Sequence, residues 1–144
     1  MYTGLQHAHS GWAYLVVIVM FLATANALIK FFGKKEYGGR DMSLALGTLI
    51  VTHIQLLLGL ILWAVSPNGL SAIQTNGMGG LSSAARQLAV EHPFTMLVVA
   101  ALITIGYSKH KKKRISEPKF KTLAIFYTIS FLLVMTMIPW AQWM

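Results

Sequence analysis

The chain has 144 residues, 56% of them hydrophobic and 11% charged, where a soluble domain carries about 25% charged residues. That balance excludes an ordinary water-soluble domain and points to a membrane protein. The formal net charge is +8 and there is no cysteine, which excludes a disulfide framework, a thiolate metal site and a redox thiol.

The first residues, MYTGLQHAHSGW, lack the basic start of a signal peptide, so the N-terminus is expected to be retained. A spanning helix needs about 20 mostly apolar residues. The first such run covers residues 11–32, with a helix expected to begin a turn or two earlier. The second covers 43–65, the third 88–107 and the fourth 122–140. Backbone groups in hydrocarbon must pair within their own segment, so these runs are helices and an open sheet is excluded. The expected fold is all-α: residues 1–144 form one integral membrane domain, a four-helix transmembrane bundle.

The loops set its orientation. Lys30, Lys34, Lys35 and Arg40 lie between the first two spans, and Lys109, Lys111, Lys112, Lys113, Arg114, Lys119 and Lys121 between the last two. Arg86 lies on the opposite side. Lys and Arg favour the cytoplasmic face, so both termini and the 66–86 connection are expected outside, N-out and C-out. Trp12, Trp63, Trp140 and Trp143 fall at the outer ends of the spans and read as one interfacial aromatic belt. The 66–86 connection is rich in Gly, Ser and Asn, so turns are expected there, lying over the outer mouth of the bundle. The KHKKKR run reads as a topology signal and an anchor for anionic lipid; nucleic-acid binding is the weaker reading.

Polar groups inside spans need partners, because a charged side chain there costs about 2.5–3.5 kcal/mol on insertion scales. His110 sits in the basic loop and reads as solvated. His9 precedes the first apolar run, and His92 lies a turn inside the outer end of the third. These two are within about 6 Å in depth at about 1.5 Å rise per residue. His53 lies about 10 Å deeper by the same rise, and His7, two residues from His9, points elsewhere.

Two neutral imidazoles on different helices at one depth suit axial ligation of a haem iron, and bundle cores commonly hold such sites. Stepping from His9 at helical spacing gives Ala13, Val16, Met20, Ala23 and Ala27, and from His92 gives Met96, Val99, Ile103 and Gly106. Both stripes are apolar with small residues, as a pocket or close helix packing requires. Pro93 cannot bond back to the carbonyl of Ala89, so the helix is expected to kink or begin there and aim His92 inward. Glu91 is an interfacial carboxylate, or one that meets water, Arg86 or a haem propionate. In the second span Thr48, Thr52, Gln55 and Gly59 share a face, and His53 is offset by about 100° from Thr52. His53 is left with three readings: a core histidine, a further haem ligand or outer-sphere partner, or a proton-relay group. Thr24, Asn26 and Thr104 read as interhelical polar contacts.

The segments LQHAHSGWAYLVV, VTHIQLLLGLILW, AVEHPFTMLVVAALITIGYSKHKK and MIPW together resemble a family of small bacterial four-helix cytochrome b-like membrane proteins. The family's histidines match His9, His53 and His92. More distantly, the chain is similar to one half of haem A synthase, whose E-x-x-H-R stretch aligns with QHAHS. Gln6 stands at the Glu position and Ser10 at the Arg position, while Gln55–Gly59 is similar to its Q-x-x-LG helix. The likeness implies a haem-holding bundle with His92 as second axial ligand, and does not carry over the synthase reaction. It also implies a multi-pass location in the bacterial inner membrane.

The leading expectation is therefore a membrane b-type cytochrome, an electron carrier or complex subunit rather than a stand-alone enzyme. Its haem b would be held by His9 and His92, with His53 the alternative ligand, near the outer leaflet. Its partners would be the lipid bilayer, haem, and quinol or subunits of a respiratory complex. The alternative is a cofactor-free accessory or assembly subunit. A proton conductor using His53, Glu91 and His92 would need titratable groups through the full depth, and the cytoplasmic half is expected to supply none. A zinc or copper site at His7, His9 and His92 is a weaker reading still.

Overall fold

The structure is a computed structural model and describes residues 2–140. Its helices are α1 (Tyr2–Phe32), α2 (Gly39–Val65), α3 (Leu70–Asn76), α4 (Ser83–Arg86), α5 (His92–Lys112) and α6 (Ser116–Met137), with a π-type turn, Gln87–Glu91, between α4 and α5. Among the described residues four helical segments are long and apolar enough to cross a membrane: Tyr2–Phe32, Gly39–Asn76, Ser83–Lys112 and Ser116–Met137. The chain is a four-helix, multi-pass membrane protein. Trp143 lies outside the described residues.

The helices close a ring in the order α1, α2, α5, α6, each packed on its two neighbours. The tight connections at residues 33–38 and 113–115 make α1/α2 and α5/α6 antiparallel pairs. Both expected stripes face inward: Val16, Met20, Ala23 and Ala27 of α1 are buried, as are Val99, Ile103 and Gly106 of α5. At Gly106 an added Cβ would stand 2.4 Å from Cβ of Phe126, so glycine is what lets α5 and α6 approach there. Tyr127, fully buried on α6, reaches across to donate to the Ala45 carbonyl of α2 at 2.9 Å.

Helix α1 begins nine residues before its apolar run, because its outermost turns, with Gln6 and His7 exposed, continue past the greasy stretch. It ends in a Schellman-type turn: Lys34 donates to Phe31 O and Lys35 to Lys30 O, with Lys34 left-handed at φ 52. A side chain with a Cβ pays about 1–2 kcal/mol there. Lys34→Gly is therefore expected to raise the unfolding free energy by about 1 kcal/mol, read by thermal unfolding in detergent.

The basic end holds more buried polarity than its lysine-rich sequence suggests. Asp41, 2% exposed, accepts from Lys30 Nζ and Asn26 Nδ2 at 2.8 Å each, and its second oxygen takes the Gly38 N–H at 2.8 Å. Asn26 is thus an interhelical contact, as expected. His110 is not solvated: it is fully buried, with Nδ1 against the Tyr107 carbonyl and Nε2 2.8 Å from the Tyr37 hydroxyl. The carbonyl can only accept, so Nδ1 carries the proton and Nε2 accepts from Tyr37. Burial, with Asp41 and Tyr107 nearby, pushes the Tyr37 phenol up to about 12. The expectation that this half lacks titratable groups is corrected by Asp41 and His110.

At the other end the tryptophans brace helices. Trp12 donates to Val51 O at 2.9 Å and Trp63 to Ala89 O at 2.8 Å, while Trp140 bonds to Met135 O at 3.0 Å. Trp12 and Trp63 therefore tie α1 to α2 and α2 to the start of α5, a role the belt reading did not include. The connection after α2 holds the two short helices α3 and α4 as well as turns, and buries Ser66 and Leu81.

Candidate functional site

His9 of α1 and His92 of α5 meet at the tryptophan end, with ring centroids 6.2 Å apart and planes at 89°. The backbone around Pro93 explains how His92 gets there. Pro93 has no N–H, so the Ala89 carbonyl has no partner four residues on. The π-type turn absorbs the break, and the Trp63 indole satisfies that carbonyl. His92 then opens α5, as one of the two expected arrangements has it. Its Nδ1 lies 2.9 Å from the carbonyl of Met137, the last residue of α6. Carbonyls at a helix end lack intrahelical donors, so Nδ1–H donates and the neutral ring keeps its lone pair on Nε2.

His9 is set by α2. Gln55 Nε2 donates to the His9 carbonyl at 2.8 Å. The imidazole lies against Gly59, where an added Cβ would be 3.0 Å from Cε1 and 3.5 Å from Nδ1 of the ring. Thr52, Gln55 and Gly59 of the α2 stripe thus face the site, while Thr48 does not line it. Gly59→Leu is expected to drive the His9 ring from its place, and with it any coloured ligand that the two histidines hold, while the helices still form. Circular dichroism beside an absorption spectrum checks both halves of that statement.

Beside the two rings lies a cavity of about 270 Å³, just below the range of about 300–1,000 Å³ for small-molecule sites. Ala13, Val16 and Met20 line it from α1, Met96 and Val99 from α5, and Thr52 and Gln55 from α2. Three buried atoms of lining residues have no hydrogen-bond partner: His9 Nδ1, Thr52 Oγ1 and Gln55 Oε1. A buried unsatisfied group costs about 1–3 kcal/mol, so these three atoms are hydrogen-bonding capacity that water or a ligand in the cavity would satisfy.

The remaining candidates lie elsewhere. His53 is exposed on the outside of the bundle, Nε2 2.8 Å from Thr104 Oγ1, and does not line the cavity. Its offset from Thr52 accounts for this. His7 and Glu91 are exposed. Among the described residues no three His, Asp or Glu side chains gather as a metal site, so a zinc or copper site at His7, His9 and His92 does not assemble. Asp41 and His110, at the far end, are polar residues that sequence reasoning missed. Compared with protein-family models, curated proteins and solved structures, the chain matches none.

The pair can be tested for fit to one metal ion. Two imidazoles trans on one ion, with bonds of about 2.0–2.1 Å, put their ring centroids about 6.3 Å apart. The observed 6.2 Å has room for such an ion and also lies in the range of about 4.5–7 Å for an ordinary edge-to-face ring contact. The tie from His92 Nδ1–H to a carbonyl is the outer-sphere bond that a ligating histidine usually makes. Two histidines and an apolar cavity suit an iron whose other ligands come with a macrocycle, and suit a bare ion poorly.

Proposed function

We infer that the chain is a membrane b-type cytochrome in which His9 and His92 hold one haem b at the tryptophan end of the bundle. The observation that carries this is the His9–His92 spacing of 6.2 Å beside an apolar cavity with unsatisfied polar atoms. His53 drops out of the ligand set, being on the outer surface of the helices. When bound, a bis-histidine haem supplies one-electron transfer and leaves no open iron position for oxygen. The protein's part is to fix both rings, through Gly59 and Gln55 on one side and the Met137 carbonyl on the other, and to keep the cavity apolar.

The lysine-rich end is read as cytoplasmic, N-out and C-out, in a bacterial inner membrane. The site is then near the outer leaflet, suited to exchange with quinol or with a subunit of a respiratory complex. The resemblance to small cytochrome b-like proteins supports the same reading. Detergent-purified protein is expected to show a sharp Soret band, with α and β bands on dithionite reduction. A colourless preparation, made with haem in adequate supply, would overturn this and leave a cofactor-free accessory subunit.

A further inference from the structure

A second cavity, of about 170 Å³, lies at the basic end, at the opposite end of α1 from His9. Lys30, Lys34, Lys35 and Glu36 line it from the end of α1 and the turn that follows, and Ser116 and Glu117 from the first turn of α6. Both helices are long and apolar enough to span, so a cavity between their ends lies where hydrocarbon gives way to lipid headgroups.

The charges around it balance without pairing. Lys30 is neutralised by Asp41 at 2.8 Å. Lys34, Lys35, Glu36 and Glu117 are exposed, and among the described residues none of the four enters an ion pair. Two ammonium groups and two carboxylates are thus left to one cavity. Ser116 Oγ accepts the Tyr37 N–H at 2.9 Å, so its own proton is left for a further acceptor. Ile29, Phe32 and Ile115, beside the lining residues in sequence, are exposed apolar side chains.

That set selects among occupants. A basic pocket between spanning helices suits an anionic headgroup, but here an anion drawn to the two lysines also meets two carboxylates. A bare cation meets the lysines by the same count. What complements the set is a phosphate and a primary ammonium on one short arm, with apolar chains attached. Phosphatidylethanolamine has that chemistry.

We propose that this cavity binds the headgroup of phosphatidylethanolamine, its phosphate on Lys34, Lys35 and the Ser116 hydroxyl, its ammonium on Glu36 and Glu117. The acyl chains lie against the exposed apolar side chains of α1 and α6. The site is independent of the one at His9 and His92. It also differs from the KHKKKR run, whose charge attracts any anionic lipid, because it selects by the second, positive charge.

Native mass spectrometry of the full chain in detergent, titrated with dioleoyl lipids, tests the assignment. Phosphatidylethanolamine is expected to bind at least about fivefold more tightly than phosphatidylcholine or phosphatidylglycerol, the upper end for partly exposed ion pairs. The choline ammonium has no N–H to donate, and the glycerol headgroup has no cation. Glu36→Gln/Glu117→Gln should abolish the preference for ethanolamine over choline and strengthen phosphatidylglycerol binding. Lys34→Gln/Lys35→Gln should weaken phosphatidylethanolamine about fivefold. All four residues are exposed, so both variants should keep the wild-type melting temperature. If either fails to fold, the three lipids on the wild-type chain decide alone.

Equal binding of the ethanolamine and choline lipids overturns the site. Tightest binding of phosphatidylglycerol overturns it too, and leaves a basic surface that attracts anions. An ethanolamine preference that Glu36→Gln/Glu117→Gln retains places the lipid elsewhere and overturns this cavity. Glycerophosphoethanolamine, the headgroup without chains, should compete only weakly; competition equal to that of the lipid overturns the assignment to a membrane ligand.

Discussion

Replacing His92 with alanine is expected to abolish the low-spin spectrum of the proposed haem, and His9→Ala to do the same, while His53→Ala leaves it unchanged. The asymmetry follows from placement. His9 and His92 face each other at 6.2 Å, whereas His53 is on the bundle's outer surface, bonded to Thr104. His92→Ala has a second effect, since it leaves the Met137 carbonyl without its donor, at about 1–3 kcal/mol. His92→Gln separates the two, because its amide can still reach that carbonyl but is a poor iron ligand. It should keep the thermal stability better than alanine and lose the spectrum equally. His110→Ala is the converse control. It should cost stability, because it empties a fully buried position and leaves the Tyr37 hydroxyl only the weaker Met42 sulfur as acceptor, yet keep the spectrum. Retention of the wild-type spectrum by both His9→Ala and His92→Ala would refute the ligand assignment.

Much of this arrangement was legible in the chain itself. The four long helices follow from apolar runs of sufficient length, and their inward faces from stripes at helical spacing. The pairing of His9 with His92 follows from their depth. Placing His53 outside needed only its offset from Thr52 together with the decision that the Thr48–Gln55 stripe faces inward. His110 was misread because five Lys and Arg residues surround it between positions 109 and 114. Yet four residues on from Gly106 the stripe from His92 reaches His110, so the periodicity held the answer that local composition hid. Trp63 was read as an interfacial residue. Its role depends on a carbonyl that Pro93 frees 26 residues away, and sequence names the freed group but not the donor that finds it. The Asp41 cluster was invisible for the same reason, since its partners come from the preceding helix and its end.

That cluster carries the largest expected stability effect. Asp41→Ala should destabilise the bundle by about 3 kcal/mol, at the lower end of the cost of breaking a buried pair. The lower end applies because Lys30 is 28% exposed and its ammonium can turn to water. Asn26 and the Gly38 N–H lose their acceptor as well. Replacing both charges, as Lys30→Met with Asp41→Leu, should recover most of the loss, because apolar groups of similar volume leave no charge uncompensated. Denaturant unfolding in detergent measures both, and an Asp41→Ala protein as stable as the wild type would refute the account. The consequence reaches the cavity. Asp41 and Gly59 stand 18 residues apart on α2, about 27 Å at the helical rise, and each meets α1, through Lys30 and His9 respectively. The ion pair therefore sets the register in which His9 comes to rest on Gly59, where no Cβ stands in the way of its ring. A slip of one turn would carry His9 about 5.4 Å along the axis, out of reach of its partner ring. Folded Asp41→Ala protein should accordingly bind haem more weakly than Lys30→Met/Asp41→Leu protein, although neither variant touches the site.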